Sequence, residues 1–234
     1  MAGRVSSLAR ELRGGRPARG TFVKLPACEV IEIAAAAFDF AVVDLEHSQL
    51  ADADALKLVR HAWALDFPAL VRMHELDRGL VNRVLEAGAA GIQLASVRSA
   101  ADVRALRAAC LYAPDGTRSV SLAHGPAGYG ATGLADYLSS VEPPLLVVQI
   151  ETAATDDPLE SVVGAGADVV FVGVTDLAVE YGLDQERVRA RVDEVADAAA
   201  AVGVVFGGFG DDARFGYTIE SSDLALLRKA FADG

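Results

Sequence analysis

The stretch Phe40 to Leu50, FAVVDLEHSQL, sets the problem that decides the fold. Phe40 to Val43 are apolar at every position, without the in-out alternation of a strand that faces water on one side. A strand of that kind is covered on both faces, as strands of parallel sheets are. The run then meets Asp44, Glu46 and His47. Buried charge is costly unless it is paired or coordinated, so either the strand ends at the surface or these groups form a site.

Working outward, the same unit recurs: a short β-branched run, a turn, and a helical stretch rich in alanine and leucine. Strands are expected at 21–25, 40–44, 69–72, 91–94, 145–150, 169–173, 204–207 and 215–219. Helical patterns fall at 29–37, 52–64, 80–87, 100–111, 158–163, 186–201 and 223–231, and GDDARFG after the seventh strand leaves room for one helical turn. Eight strands alternating with helices suggest an α/β chain of the (β/α)8 TIM-barrel kind, which occupies about 200–250 residues. A doubly wound open sheet fits the alternation equally well, but no GxGxxG or GxxxxGK[ST] follows the first strand. No low-complexity linker interrupts the chain, so residues 1–234 are expected to form one domain, with residues 1–19 an extra N-terminal helical segment. The widest interruption, Tyr112 to Pro144 with GPAGYGATG, is an active-site loop or a long surface connection.

Composition narrows the class. The 234 residues are 52% hydrophobic and 23% charged, as expected of a globular chain with a large core. A net charge of −12 speaks against nucleic acid or an anionic membrane as partner. The basic first residues lack the apolar centre of a secretory signal, and no apolar run is long enough to span a bilayer. A cytoplasmic protein is therefore expected. Cys28 and Cys110 fit two reduced, buried thiols, with a redox-sensitive Cys28 as the other reading.

In a barrel the chemistry sits at the C-terminal ends of the strands. There the sequence places Lys24, the Asp44–Glu46–His47 group, Arg72, the pair Gln149 and Glu151, and Asp176. Each has an ordinary reading as a surface ion pair or helix cap; Asp176 in particular could cap the helix LAVEYG. Gln149 and Glu151 share one face by period two, which in a short apolar barrel strand is the interior mouth. Glu151 and Asp176 offer two hard oxygen ligands from neighbouring strands, suited to Mg²⁺ or Mn²⁺ with positions left for substrate, and Co²⁺ remains open. Zinc fits less well, because no histidines or cysteines stand at ligand spacing. Arg72 can clamp a carboxylate or a developing enolate, and Asp44 can orient His47 as an acid/base. His61 reads as a packing residue, while His74 and His124 fall in loops. Lys24 offers a separate route as a Schiff-base nucleophile.

Taken in order, FDFAVVDLEHSQ, ALVRM, LEAGAAGIQLASV, APDGTRSV, LLVVQIET and VVFVGVTDLAVEYG resemble the HpcH/HpaI aldolases, the metal-dependent pyruvate aldolases of the 2,4-dihydroxyhept-2-ene-1,7-dioate type, from about Gly20 to Phe231. The resemblance implies that Glu151 and Asp176 bind a divalent metal, Gln149 and Arg72 contact a pyruvyl group, and His47 with Asp44 forms an acid/base dyad. It also implies that backbone amides near Gly173 and Thr175 hold the pyruvate carboxylate. The reaction implied is formation or cleavage of a 4-hydroxy-2-oxo acid from a 2-oxo acid and an aldehyde. Such enzymes assemble as homo-oligomers, generally hexamers built as trimers of dimers, with an acidic residue of the neighbouring chain near the site; Glu86 in VLEAG stands at that position, where aspartate is usual. The chain departs from the pattern in having Gly173-Val174-Thr175-Asp176-Leu177 for G-P-A-D-L, in lacking the proline usual after strand four, and in its short, altered end VVFGGFGDDARFGYTIESSD. Related lyase or synthase chemistry on oxaloacetate, an acyl-CoA or a natural-product intermediate, or a non-catalytic 2-oxo-acid-binding protein, are the alternative readings.

Overall fold

The computed structural model describes residues 4–233; Met1–Gly3 of the expected N-terminal segment and Gly234 lie outside the described residues. Eight parallel strands close into a barrel in sequence order, β1 through β8, with β8 pairing back onto β1. The strands are β1 Ala18–Val23, β2 Phe40–Asp44, β3 Ala69–Met73, β4 Gly91–Leu94, β5 Leu145–Ile150, β6 Val169–Val172, β7 Val205–Phe209 and β8 Tyr217–Ser222. Helices alternate with them: α1 Arg4–Arg13, α2 Cys28–Ala37, α3 Asp52–Ala64, α4 Arg78–Ala87, α5 Ala100–Cys110, α6 Leu134–Ser140, α7 Leu159–Val163, α8 Val174–Glu180, α9 Gln185–Val202 and α10 Asp223–Ala232.

The uninterrupted apolar strands have the predicted cause. Ala41, Val43, Val71, Ile92, Val148 and Val170 face the helices, whereas Phe40, Val42, Leu70, Val147, Val169 and Phe171 face the barrel interior. Both faces are dry, so neither alternates with polar residues. Inside, the aromatic ring of Phe40 stacks on Tyr217 at 4.5 Å. A Cβ on Gly20 would stand 2.3 Å from the Phe40 ring, so only glycine lets β1 pass it. The N-terminal helix closes the bottom of the barrel: Leu8 and Leu12 are buried with the interior layer, and Arg13 bonds Asp168 at 2.8 Å. Burying those two leucines contributes roughly 3–6 kcal/mol at 1.5–3 kcal/mol per side chain.

Three local expectations are corrected. The first strand ends at Val23, not Leu25, because the N–H groups of Lys24 and Leu25 leave the ladder and donate to Asp223 Oδ2 at 2.8 and 2.9 Å. The last strand begins and ends later than 215–219, because after a register shift Ser221 and Ser222 pair with Thr21 and Phe22. Among the described residues no helix separates β7 from β8; the connection is a turn in which Arg214 binds Asp212 and Asp193. Sequence periodicity also missed α6 and α8, which at seven residues each are too short to show it. The long connection from Tyr112 to Pro144 carries α6 and a 3₁₀ segment at Gly125–Gly130.

Candidate active site

The strand ends bring most of the predicted residues to one mouth. A cavity of about 420 Å³ is lined by Phe22, Lys24, His47, Arg72, Gln149, Phe171, Gly173, Thr175, Asp176, Phe209 and Ser222, among others. That is a size suited to a small metabolite. Register explains the first charge cluster. Asp44, the last residue of β2, lies directly opposite Arg72 of β3, and both point inward. Arg72 Nε and Nη2 donate to the two oxygens of Asp44 at 2.8 and 2.6 Å, a bidentate pair. Lys24 Nζ also donates to Asp44 Oδ2, and to the carbonyl of His47 at 2.9 Å. The Arg72 guanidinium lies over the Phe22 ring at 4.3 Å, which fixes its plane from the other side.

Asp44 is fully buried, and burial by itself pushes its carboxyl upward. The hydrogen bonds and charge of Arg72, with those of Lys24 and the His47 N–H, outweigh it and hold the group well below the usual carboxylate range. Asp44 therefore meets His47 through the main chain: the His47 N–H donates to Oδ1 at 3.2 Å. The dyad implied by the family pattern is not made by direct contact here, since Arg72 and Lys24 take the carboxylate. The group beside the imidazole is Glu46, whose Oε2 lies 3.9 Å from His47 Nε2 and 3.3 Å from Arg72 Nη1. That oxygen is buried and has no aligned hydrogen-bond donor. Burial pushes the Glu46 carboxyl up, as do Glu151 and Asp44, against the opposing charges of Arg72 and His47. Sequence reading placed Glu46 at the strand end without giving it a role.

Glu151 follows β5 and is almost fully buried. Ser96 holds its Oε1 through both N–H and Oγ, at 2.8 and 2.6 Å, and Gln149 Nε2 donates to Oε2. Ser96, which sequence analysis gives no role, follows β4 in a left-handed conformation, φ 51°. Gly173 forms the floor beside this carboxylate. A Cβ there would lie 2.6 Å from both Glu151 Cβ and Oε2, so the missing side chain leaves the carboxylate its room. The Gly173 N–H is already donated to Ile150 at 2.9 Å, so the amides of the short helix α8 without partners are those of Val174, Thr175 and Asp176. Asp176 is exposed in the first turn of α8, and among the described residues no hydrogen bond or ion pair engages its carboxylate.

Two predicted residues stand elsewhere or in a different role. Glu86 is half-buried near the C-terminus of α4, which runs back toward the opposite, N-terminal side of its own barrel, where its charge acts on Tyr112. Lys24 is engaged in an ion pair with Asp44, whereas a Schiff-base nucleophile needs a free amine. Of the histidines assigned no chemistry, His61 binds Glu32 at 2.9 Å and His124 is buried with Nε2 on the carbonyl of Ser121.

The HpcH/HpaI aldolase/citrate lyase family model matches residues 19–214, which takes in every strand but β8. The chain belongs to the HpcH/HpaI aldolase/citrate lyase family. A hydroxypyruvate/pyruvate aldolase of Rhizorhabdus wittichii is 30% identical over 232 residues, 92% of each chain. A 4-hydroxy-4-methyl-2-oxoglutarate aldolase of Hapsidospora irregularis is 31% identical over 86% of this chain and 78% of its own. The crystal structure of the HpcH/HpaI aldolase from Desulfitobacterium hafniense superposes with a TM-score of 0.87 at 28% identity, covering 97% of this chain and 94% of the other. Membership of the family identifies this HpcH/HpaI chain as a carbon–carbon lyase of the aldolase type.

Proposed function

We propose that the chain is a divalent-metal-dependent aldolase that forms or cleaves 4-hydroxy-2-oxo acids through the enolate of a pyruvyl donor. The observation that carries this is the set of groups around one cleft: two carboxylates from successive strands, a buried arginine, and a histidine beside a buried glutamate oxygen that no aligned hydrogen bond engages. The donor set fits a hard cation. Glu151 is anchored by Ser96, with Gly173 packed against it without a side chain, and Asp176 has no partner among the described residues. Among the described residues no three His, Cys, Asp or Glu side chains gather as a complete cage, so the remaining positions fall to water and substrate. Glu151 and Asp176 hold the ion in this reading, with Mg²⁺ or Mn²⁺ favoured over Co²⁺ by the all-oxygen ligands. When bound, the ion supplies the positive charge that makes the donor's methyl group acidic.

The chain's own groups do the rest. Arg72, locked in plane by Asp44 and Phe22, presents its remaining edge to the oxygen on which charge develops. Gln149 contacts the pyruvyl group, and the unpaired amides at Val174 and Thr175 receive its carboxylate, with Gly173 supplying space. His47 moves the proton at the acceptor oxygen. Glu46, not Asp44, is the carboxyl in reach of the imidazole, and its raised protonation range suits it to share that proton. The substrates of the relatives, hydroxypyruvate, pyruvate and 4-hydroxy-4-methyl-2-oxoglutarate, define the first compounds to try.

In the same reading the whole chain acts as one catalytic domain in the cytoplasm, where free Cys28 and Cys110 stay reduced. It works as a homo-oligomer, a trimer of dimers, in which Glu86, remote from its own cleft, serves a neighbour's. No described helix is long and apolar enough to cross a membrane. The test is Glu151→Ala assayed for cleavage of 4-hydroxy-4-methyl-2-oxoglutarate with and without added Mg²⁺. Metal-stimulated turnover should vanish in the variant while the fold persists by circular dichroism; full activity sinks the assignment.

A further inference from the structure

Two residues to which neither the family resemblance nor the proposed chemistry gives a role are buried in the barrel interior below the cleft. Gln93, on β4, is the one amide in an otherwise apolar strand, GIQL, and is 0% exposed. Tyr217, the first residue of β8, is also 0% exposed. Its hydroxyl donates to Gln93 Oε1 at 3.2 Å; Gln93 Nε2 donates to Gln149 Oε1 at 2.9 Å; and Gln149 Nε2 donates to Glu151 Oε2. Four side chains from β8, β4 and β5 thus form one file ending at the carboxylate.

We propose that Tyr217 and Gln93 are positioning residues, a hydrogen-bond relay that holds the Gln149 amide in the orientation the Glu151 carboxylate demands. This deepens the reading above, in which Glu151 holds the metal and Gln149 the substrate. The polarity of the file is set at its carboxylate end, and the other members follow it to the Tyr217 hydroxyl. A carboxylate is an acceptor, so Gln149 must turn its NH₂ toward Glu151 and its carbonyl toward Gln93. Gln93 must then present NH₂ to Gln149 and carbonyl to Tyr217. That carbonyl needs a donor, and a phenol O–H supplies one. Burial pushes the Tyr217 hydroxyl well above its usual range, so it keeps its proton. An amide is nearly symmetric in shape, and packing alone does not choose between its two orientations. The flipped Gln149 would set a carbonyl against the Glu151 oxygen and direct the wrong group at the cleft. A buried amide with any bond missing pays for an unsatisfied group, so the file holds as a unit.

The test uses the full chain, metal-free and with Mn²⁺, as wild type, Tyr217→Phe, Gln93→Leu and the double variant. Tyr217→Phe keeps the ring stacked on Phe40 and removes only the hydroxyl. The first readout is hydrogen exchange of the Gln149 side-chain NH₂ in metal-free protein by ¹⁵N NMR; the second is the Mn²⁺ dissociation constant. Loss of a partner behind a metal ligand typically weakens metal binding about 10–100-fold. Because the relay starts with a single bond, the lower end, about tenfold, is expected for Tyr217→Phe, together with faster Gln149 exchange. Tyr217→Phe should add nothing once Gln93 is leucine, since the relay is already cut. A merely structural tyrosine would lower stability in both backgrounds and leave exchange and affinity alone. Unchanged Gln149 exchange in both single variants overturns the relay. If wild type binds no Mn²⁺ but Tyr217→Phe still frees the Gln149 amide, the relay stands and the metal-binding role of Glu151 is what fails.

Discussion

Asp44→Asn isolates what holds the cleft together. Asparagine keeps the shape of the side chain and removes the one anion that faces both Arg72 and Lys24. Asp44 is 0% exposed and Arg72 5%, so solvent compensates little for the loss at the arginine. Breaking a buried ion pair by removing one partner costs about 3–5 kcal/mol, because the other charge is left uncompensated. Two features place this site at the lower end, near 3 kcal/mol. Glu46 Oε2 stands 3.3 Å from Arg72 Nη1, and the Lys24 side chain retains 16% exposure. For a chain of this length each kcal/mol lowers the melting temperature by about 2–4 °C, so a fall of about 6–12 °C is expected at pH 7. The pH dependence has a definite sign. Asp44 is held below its unfolded value, near 3.9, so its contribution is complete above that value and is lost as pH falls through the folded one. The gap between wild type and Asp44→Asn, measured by urea unfolding from pH 7 to pH 3, should stay level down to about pH 4 and narrow below it. A gap under about 1 kcal/mol at pH 7, or one that widens on acidification, refutes the reasoning.

Further expectations concern single positions. In Gly173→Ala the new Cβ falls 2.6 Å from Glu151 Oε2 and must push the carboxylate aside. Turnover should drop about 10²-fold and stability by about 1–3 kcal/mol from the crowding against Glu151 Cβ, and near-normal kcat would show that the carboxylate need not stay where it is. Glu46→Gln should lower kcat by about 10²-fold and flatten the acidic limb of the pH profile while Mn²⁺ affinity holds, whereas loss of metal binding would place Glu46 in a different role. Burial pushes the Cys110 thiol up to about 12, against a small opposing effect of Arg118. A thiol reagent at pH 8 should therefore modify no more than Cys28 in the native chain and both cysteines in urea; prompt double labelling contradicts the buried placement.

The barrel could be read in the sequence because its evidence is local: dry strands such as LLVVQI are continuous runs, and several of them end in a group that water or a ligand must meet. The cleft could be read for the same reason, as Lys24, Arg72, Gln149 and Asp176 lie at or soon after the C-terminal ends of their strands. Partner choice could not be read there. Asp44 and Arg72 lie 28 residues apart, and only the β2–β3 register shows that they face each other and so withdraw Asp44 from His47. Gln93 gave a signal that went unused, a lone amide within an apolar strand, but its partner Tyr217 sits in a strand whose limits depend on a register shift against β1. Ser96 meets Glu151 from a left-handed backbone conformation, which no residue pattern around it announces.

The central claim is that this cleft removes a proton from a 2-oxo acid with the help of a divalent ion. It is tested most directly by incubating the protein with pyruvate in D₂O and following the methyl signal by proton NMR, in Mg²⁺-loaded and EDTA-treated samples side by side. Loss of the methyl signal with Mg²⁺, abolished by EDTA, is the predicted result. A methyl signal that persists in the Mg²⁺-loaded sample, with the protein folded, contradicts it.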